Sequence, residues 1–156
     1  MPPEQGSVLW EGQDIEQLKE LYAGQLTYLG HLNGIKDDLT PLENLMSAML
    51  LAGEPCSNNG AKEALKAIGL KRPIHHLPSK VLSQGQKRRV TLARLWLFTR
   101  PRWLLDEPFT SLDAASTNAV TQRLLAHLQR GGLAVVVTHQ EVALPAERVQ
   151  RLRLTG

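Results

Sequence analysis

The sequence predicts an α/β fold with a mostly parallel sheet. Three observations lead there. Short apolar runs alternate along the chain with segments of helical periodicity, the pattern of strand–helix units. One run, LAVVV at residues 133–137, is apolar throughout and rich in β-branched side chains, as expected of a strand buried on both faces. Several helix starts are written as explicit caps, which fixes where those helices begin.

In chain order, residues 7–10 predict a short strand ended at Gly12. Residues 14–22 predict an amphipathic helix capped by Asp14, with Ile15, Leu18 and Leu21 on one side. Residues 26–29 form a strand candidate, followed by a loop through Gly30, Asn33 and Gly34. Thr40, Pro41 and Glu43 stand at cap, N1 and N3 of a helix running to about Leu51 and stopped at Gly53. Residues 58–60 predict a turn and 61–68 another helix, and the prolines at 73 and 78 break the chain. Ser83 with Gln86 forms a capping box for a helix to about Phe98. Residues 103–105 predict a strand ending at Asp106-Glu107-Pro108, residues 114–129 a helix stopped by Gly131-Gly132, and residues 149–154 a final strand. The stretch from Pro41 to Pro78 is helical only, so the chain divides into residues 1–40, a helical subdomain at 41–80 and a C-terminal core at 81–156.

Composition narrows the classes. The chain has 156 residues, 42% hydrophobic and 21% charged, ordinary for a globular protein. No apolar run approaches the ~18 residues that span a membrane, and the opening MPPEQGSVLW lacks the form of a secretory signal. The single cysteine, Cys56, allows neither an internal disulfide nor a thiolate zinc cage, and a cytoplasmic setting is the default. A net charge of +3 and a pI of about 9.2 fall short of a dedicated nucleic-acid binder.

Four features carry chemistry. Gly85 sits in the first turn of the helix begun at Ser83, where it costs helix stability. It predicts close approach of another molecule, and a helix N-terminus predicts that the molecule is a phosphate. Asp106 and Glu107 end an apolar strand, where one acid can hold hydrated magnesium and the other orient a water. Ser111-Leu112-Asp113 follows in the next loop, and His139 ends the strand at 133–137. Each alone reads as a cap, a turn or a core histidine. Their order and spacing together point to phosphate chemistry.

On these residues the chain resembles the ABC-transporter ATPases. LSQGQKRRVTLARLWL is similar to their signature motif, WLLDEP to Walker B, TSLD to the D-loop and VVVTH to the switch-histidine segment. Within that superfamily YLGHLNGIKDDLTPLENL, DEPFTSLD and GGLAVVVTHQ resemble the ATP-binding subunits assigned to haem export in cytochrome c maturation. The resemblance implies a partial P-loop NTPase core with a helical subdomain, and ATP and Mg2+ as ligands. It implies that Ser83, Gly85 and Gln86 touch the γ-phosphate of ATP held by the opposing subunit. Asp106 would then hold magnesium through water, Glu107 act as general base, His139 stabilise the γ-phosphate and Asp113 link the two sites. The implied partners are a second ATPase subunit and membrane permease subunits, with no nucleic acid, at the cytoplasmic face of the bacterial inner membrane.

Some family features are not found. No G-x-x-x-x-G-K-[ST] loop and no Gly-Lys step occur in the 156 residues, although that loop cradles the nucleotide phosphates. The chain reads as lacking the family's N-terminal third, and with it the strand that would cover the edge of residues 133–137. Leu32 stands where many relatives carry the Q-loop glutamine, with Asn33 as a weak substitute. Gln84 replaces the first signature glycine, and Arg102 opens the Walker B strand, at its exposed end. His75-His76 reads as a solvated pair rather than a metal or haem site, and Lys87, Arg88 and Arg89 as a helix face meeting carboxylates. Two rival readings stay open: an ABC ATPase with another substrate or acting on nucleic acid, and a non-enzymatic remnant.

Overall fold

The computed structural model describes residues 5–152. A small hairpin opens the chain. Strands β1 (Leu9–Trp10) and β2 (Gln13–Asp14) pair antiparallel across Glu11 and Gly12, both left-handed at φ 50° and 80°, the geometry of a type I′ turn. Asp14 then caps helix α1 (Ile15–Gln25) by accepting from the Glu16 amide. The predicted one-sided apolar face is only half realised. Ile15 and Leu18 are half-buried, Leu21 is exposed, and the backbone leaves helical geometry at Lys19. Trp10 packs edge-on against Tyr22 and fixes the hairpin to the helix.

The predicted parallel sheet forms from β3 (Leu26–Leu29), β4 (Arg102–Asp106) and β5 (Leu133–Val137), with β4 central. Both pairings are parallel and in register, so Tyr28, Leu104 and Val135 stand side by side. The helices are α2 (Pro41–Leu51), α3 (Asn58–Ala67), α4 (Gln84–Leu92) and α5 (Ala114–Gln129). Their starts follow the caps read from the sequence, with full capping boxes at Thr40 and Ser83. Residues 58–60, predicted as a turn, are instead the first turn of α3, because Ser57 accepts from the Gly60 amide and moves the cap upstream. The helix expected to reach Phe98 changes to a 3-10 turn at Ala93–Trp96. Over residues 149–152 no strand forms, and residues 153–154 of that prediction lie outside the described residues.

One apolar cluster unites these elements. Leu45 of α2, Leu65 of α3, Leu92 of α4, Leu105 and Trp103 of β4 and Leu124 of α5 are all fully buried within it. Burial of each such side chain is worth about 1.5–3 kcal/mol. His75, expected to be solvated, is buried with Nε2 2.8 Å from the Leu70 carbonyl, whereas His76 is exposed. A histidine whose ring nitrogen meets a backbone carbonyl is a satisfied core residue.

The sheet has one packed face, not two. Thr27, Leu29, Trp103 and Leu105 point into the core. On the other face Tyr28 is 60% exposed, Val135 51% and Val137 53%. The expectation that β5 is buried on both faces is therefore corrected. Alternation along β5 follows from the period-two geometry of a strand with helices on one side only. Among the described residues β5 pairs with β4 alone, leaving its outer edge open. An exposed apolar edge strand is a template for association. Val135→Lys on the exposed face therefore lowers self-association of the 156-residue chain, measured by light scattering, without lowering its melting temperature.

His127 joins α5 to the sheet. Its ring stacks on Trp103 at 3.8 Å between centroids and 7° between planes. Gly132 is required beneath it, since a Cβ there would collide with the imidazole. Burial, with the Arg123 and Arg130 charges adding to it, lowers the His127 pKa from its ordinary 6.5. The folded chain therefore takes up this proton less readily than the unfolded one, so stability is full above about pH 6.5 and falls as pH drops through the lowered value. A melting-temperature profile shows this acid-side fall, and His127→Gln flattens it.

Candidate functional site

The parallel sheet directs three chain segments to the carboxyl ends of its strands, where ligands bind in open α/β folds. Asp106 closes β4 opposite Val137 of β5. Glu107 follows with φ 47°, a left-handed conformation unusual for a residue with a side chain. Its amide donates to the Val137 carbonyl at 2.8 Å, carrying the ladder one step past the strand. This turns the Glu107 carboxylate toward the end of β5. Oε1 accepts from the His139 amide at 3.2 Å and lies 3.6 Å from His139 Nε2. Oε2 accepts from the Thr110 hydroxyl at 3.3 Å. The Glu107 side chain is 14% exposed and that of His139 97% exposed. A held carboxylate thus faces a histidine open to solvent. Beside them, the Asp106 carboxylate takes no hydrogen bond or ion pair among the described residues.

The capped turn of α4 supplies the second part. Ser83 Oγ accepts from the Gln86 amide at 3.2 Å, and Gln86 Oε1 accepts from the Ser83 amide at 2.9 Å. The Ser83 hydroxyl proton and the Gln84 and Gly85 amides are left without partners among the described residues, which is the donor set of a helix N-terminus. Gly85, however, has an intramolecular reason to be glycine. A Cβ at this position would stand 2.5 Å from the Ser111 carbonyl oxygen. The chain's own loop thus makes one close approach to Gly85. Ser111 is itself left-handed, at φ 64°.

Asp113 caps α5 through the Ser116 amide at 2.8 Å and lies 3.7 Å from Arg89. The Ser116 hydrogen bonds, chiefly, lower its pKa. Of the three basic residues expected to meet carboxylates, Lys87 pairs with Asp37 at 2.5 Å and Arg89 with Asp113. Arg88 does not. It is 3% exposed, and its guanidinium donates to four backbone carbonyls: Gly30 at 2.9 Å and His31 at 3.5 Å after β3, Asp106 and Glu107 at 2.8 Å after β4. Burial lowers its pKa, opposed by the Asp106 and Glu107 charges. A lone arginine in a basic run gives no sign in sequence that it will turn inward.

A cavity of about 150 Å³ lies among His31, Asn33, Gln84, Arg88, Glu107, Thr110 and Ser111, joining the two halves of the site. Leu32 is 85% exposed and does not line it. Asn33 does, and its side-chain oxygen is buried without a partner. Arg102 lies half-buried with its guanidinium 3.4 Å from the centre of the Trp10 ring, held by the hairpin rather than free at the strand end.

Paired acids and a histidine at adjacent strand ends, beside a capped glycine turn, are the features of an ATP-binding cassette. Residues 1–110 match the family described as ABC transporter, and the chain belongs to that family, whose cassettes bind and hydrolyse ATP. It is 50% identical over 154 residues to the cytochrome c biogenesis ATP-binding export protein CcmA of Dechloromonas aromatica, covering 99% of this chain and 75% of that protein. It is 39% identical to CcmA of Escherichia coli K12, covering 98% and 72%. Among solved structures, it superposes with a TM-score of 0.73 and 26% identity on the ATP-binding cassette MJ0796, a dimer in a post-hydrolysis state with ADP and Pi, over 90% of this chain and 65% of that one. No helix among the described residues is long and apolar enough to cross a membrane.

The geometry sets two tests. Gly85→Ala gains about 1 kcal/mol of helix propensity but forces a methyl against a backbone carbonyl, at a cost of about 1–3 kcal/mol; urea denaturation shows a net loss. Arg88→Met strands four carbonyls and costs about 3 kcal/mol or more in the same measurement, a larger loss than for Arg89→Met.

Proposed function

We propose that this chain is the ATP-binding subunit of an export complex in cytochrome c maturation, with haem as the cargo. It works as half of an ATPase dimer against membrane permease subunits, at the cytoplasmic face of the bacterial inner membrane. The observation that carries the reading is the convergence of Glu107 and His139 at the ends of β4 and β5, 3.6 Å apart, in a chain half identical to a CcmA protein.

The roles follow from the geometry. Glu107 is oriented by the Thr110 hydroxyl and by the amide and ring of His139 and can polarise a water lying beside His139. His139, open to solvent, can reach the terminal phosphate. Asp106 fits a hydrated magnesium ion that arrives with the nucleotide: its carboxylate is unengaged, and no cluster of three or more His, Cys, Asp or Glu among the described residues forms a closed metal cage. Magnesium retains several waters and takes one or two carboxylates with phosphate oxygens, and it neutralises charge on the phosphates. Asn33, not Leu32, offers an amide oxygen to the cavity beside Glu107 and takes the position of the Q-loop side chain. The Ser83 hydroxyl and the amides of the following turn are free to meet a phosphate presented by the opposing subunit, and Asp113, paired with Arg89, would link the two sites across the dimer. The 156 residues contain no Gly-Lys step, so the phosphate-cradling loop of such a site comes from sequence outside them, and these residues alone do not hydrolyse ATP. The helical segment at 41–80 is the surface offered to the permease.

Mixing this chain with an intact cassette of its own kind tests the composite site. Phosphate release appears on mixing, and Ser83→Arg in this chain abolishes it; release unaffected by that change rejects the reading. Glu107→Gln, placed in the chain that also holds the phosphate loop, lowers the rate by about 10²–10⁴, the range of general-base catalysis. Co-purification with the membrane subunits of the cytochrome c pathway supports the cargo assignment, and salt-sensitive DNA binding counts against it.

A further inference from the structure

The chain carries two Asn-Gly steps, Asn33-Gly34 and Asn59-Gly60. Such a step readily loses its side-chain amide, because glycine puts no Cβ beside the backbone nitrogen that attacks. That nitrogen gives up its proton and bonds to the asparagine Cγ, ammonia leaves with the proton, and a five-membered succinimide forms. Water then opens the ring at either carbonyl, giving aspartate or isoaspartate. The reaction needs a backbone N–H free to ionise and a side-chain amide free to turn toward it.

The fold treats the two steps differently. Gly60 lies in the first turn of α3. Its amide donates to Ser57 Oγ at 3.0 Å, and a Cβ there would meet that oxygen at 3.2 Å. Reaction at Asn59 therefore requires the helix cap to open, at a cost of about 1 kcal/mol beyond the unwinding of the turn itself. Gly34 lies in the loop after β3, exposed and left-handed at φ 58°, with no atom within 4 Å of where a Cβ would stand. Its amide donates no hydrogen bond among the described residues. The Asn33 side chain is equally unengaged, with its oxygen buried and without a partner. The Asn33 carbonyl, by contrast, accepts from the Thr91 hydroxyl at 2.7 Å. A donor on that carbonyl stabilises the charge left on the peptide when the Gly34 N–H ionises. The Arg88 guanidinium, bound to the Gly30 and His31 carbonyls just upstream, adds positive charge nearby.

We infer that Asn33 is a site of spontaneous deamidation in the folded protein, promoted by the Thr91 hydroxyl, while Asn59 is protected by its helix. The change puts a new negative charge into the wall of the cavity that Asn33 shares with Glu107 and Arg88. The isoaspartyl product also lengthens the main chain by one methylene in the loop that Arg88 and Thr91 hold. The inference goes beyond the reading of the chain as an export subunit and depends on the loop alone, so either can fail without the other.

The test holds the full 156-residue chain folded at mildly alkaline pH, digests samples with trypsin over time and weighs the peptides. Cleavage at Lys19, Lys36 and Lys62 puts the two steps in separate fragments, residues 20–36 and 37–62. A one-dalton gain placed on Asn33 accumulates roughly tenfold or more faster than one on Asn59, since a hydrogen-bonded amide reacts only on local opening. Enzymatic methylation of isoaspartate rises with it, and in urea the two sites react at similar rates. Thr91→Val slows the reaction at Asn33, and Thr91→Ser, which keeps the hydroxyl, retains the fast rate. Asn59 serves as the folding control, because a variant that loosens the chain releases it as well. An Asn33 that stays intact, equal rates at the two sites of the folded chain, or a fast rate in a folded Thr91→Val chain overturns the inference. A slow rate in Thr91→Ser removes the hydroxyl from it.

Discussion

The guanidinium of Arg88 holds the site together. It leaves the first turns of α4 and reaches the carbonyls at the ends of both β3 and β4. Those carbonyls are the acceptors a parallel sheet leaves unused where its strands stop, and in a buried position they need donors. One side chain with five donors in a planar fork supplies them. The helix bearing Ser83 and the strand bearing Asp106 and Glu107 are thereby fixed to each other before any ligand arrives. Pre-set geometry of this kind is what a catalytic carboxylate needs, because it lowers the reorganisation required at the moment of reaction.

Strain gathers at the same place. Of the three non-glycine residues with left-handed backbone among those described, Glu107 and Ser111 both belong to the site. Such conformations persist where surrounding contacts over-determine them. At Glu107 those contacts are the Val137 carbonyl on one side and Arg88 on the other. The conformation aims the carboxylate across to β5 rather than along β4. Asp106, one residue earlier, still belongs to the strand and makes no side-chain hydrogen bond or ion pair among the described residues, so the two adjacent acids differ in what holds them.

Much of this was legible in the sequence, for identifiable reasons. Caps are local chemistry, so Asp14, Thr40, Ser83 and Asp113 each marked a helix start that formed. The strands at 26–29, 103–105 and 133–137 were short apolar runs between turn residues, and they paired in parallel as the alternation with helices required. The positions of Asp106, Glu107 and His139 at strand ends followed from the strands themselves. What the sequence hid depends on contacts between distant residues. The turn at 58–60 became helix because Ser57 caps it. β5 was read as buried on both faces from its composition, but composition does not say how many layers cover a sheet. Gly85 pointed to the close approach of another molecule, and only the fold reveals that the Ser111 carbonyl by itself already requires a glycine there. Arg88 and His75 turned inward for carbonyls that no local pattern announces.

The contact between Gly85 and the Ser111 carbonyl has one more consequence. The turn that opens α4 and the loop that leads into α5 are in van der Waals contact at a point with no slack, and Arg89 ties the far end of that loop to the same helix through Asp113. Neither segment can be pushed without moving the other. Any displacement of the Ser83 turn is therefore carried into the loop a few residues after Glu107 through rigid backbone, with no flexible relay in between.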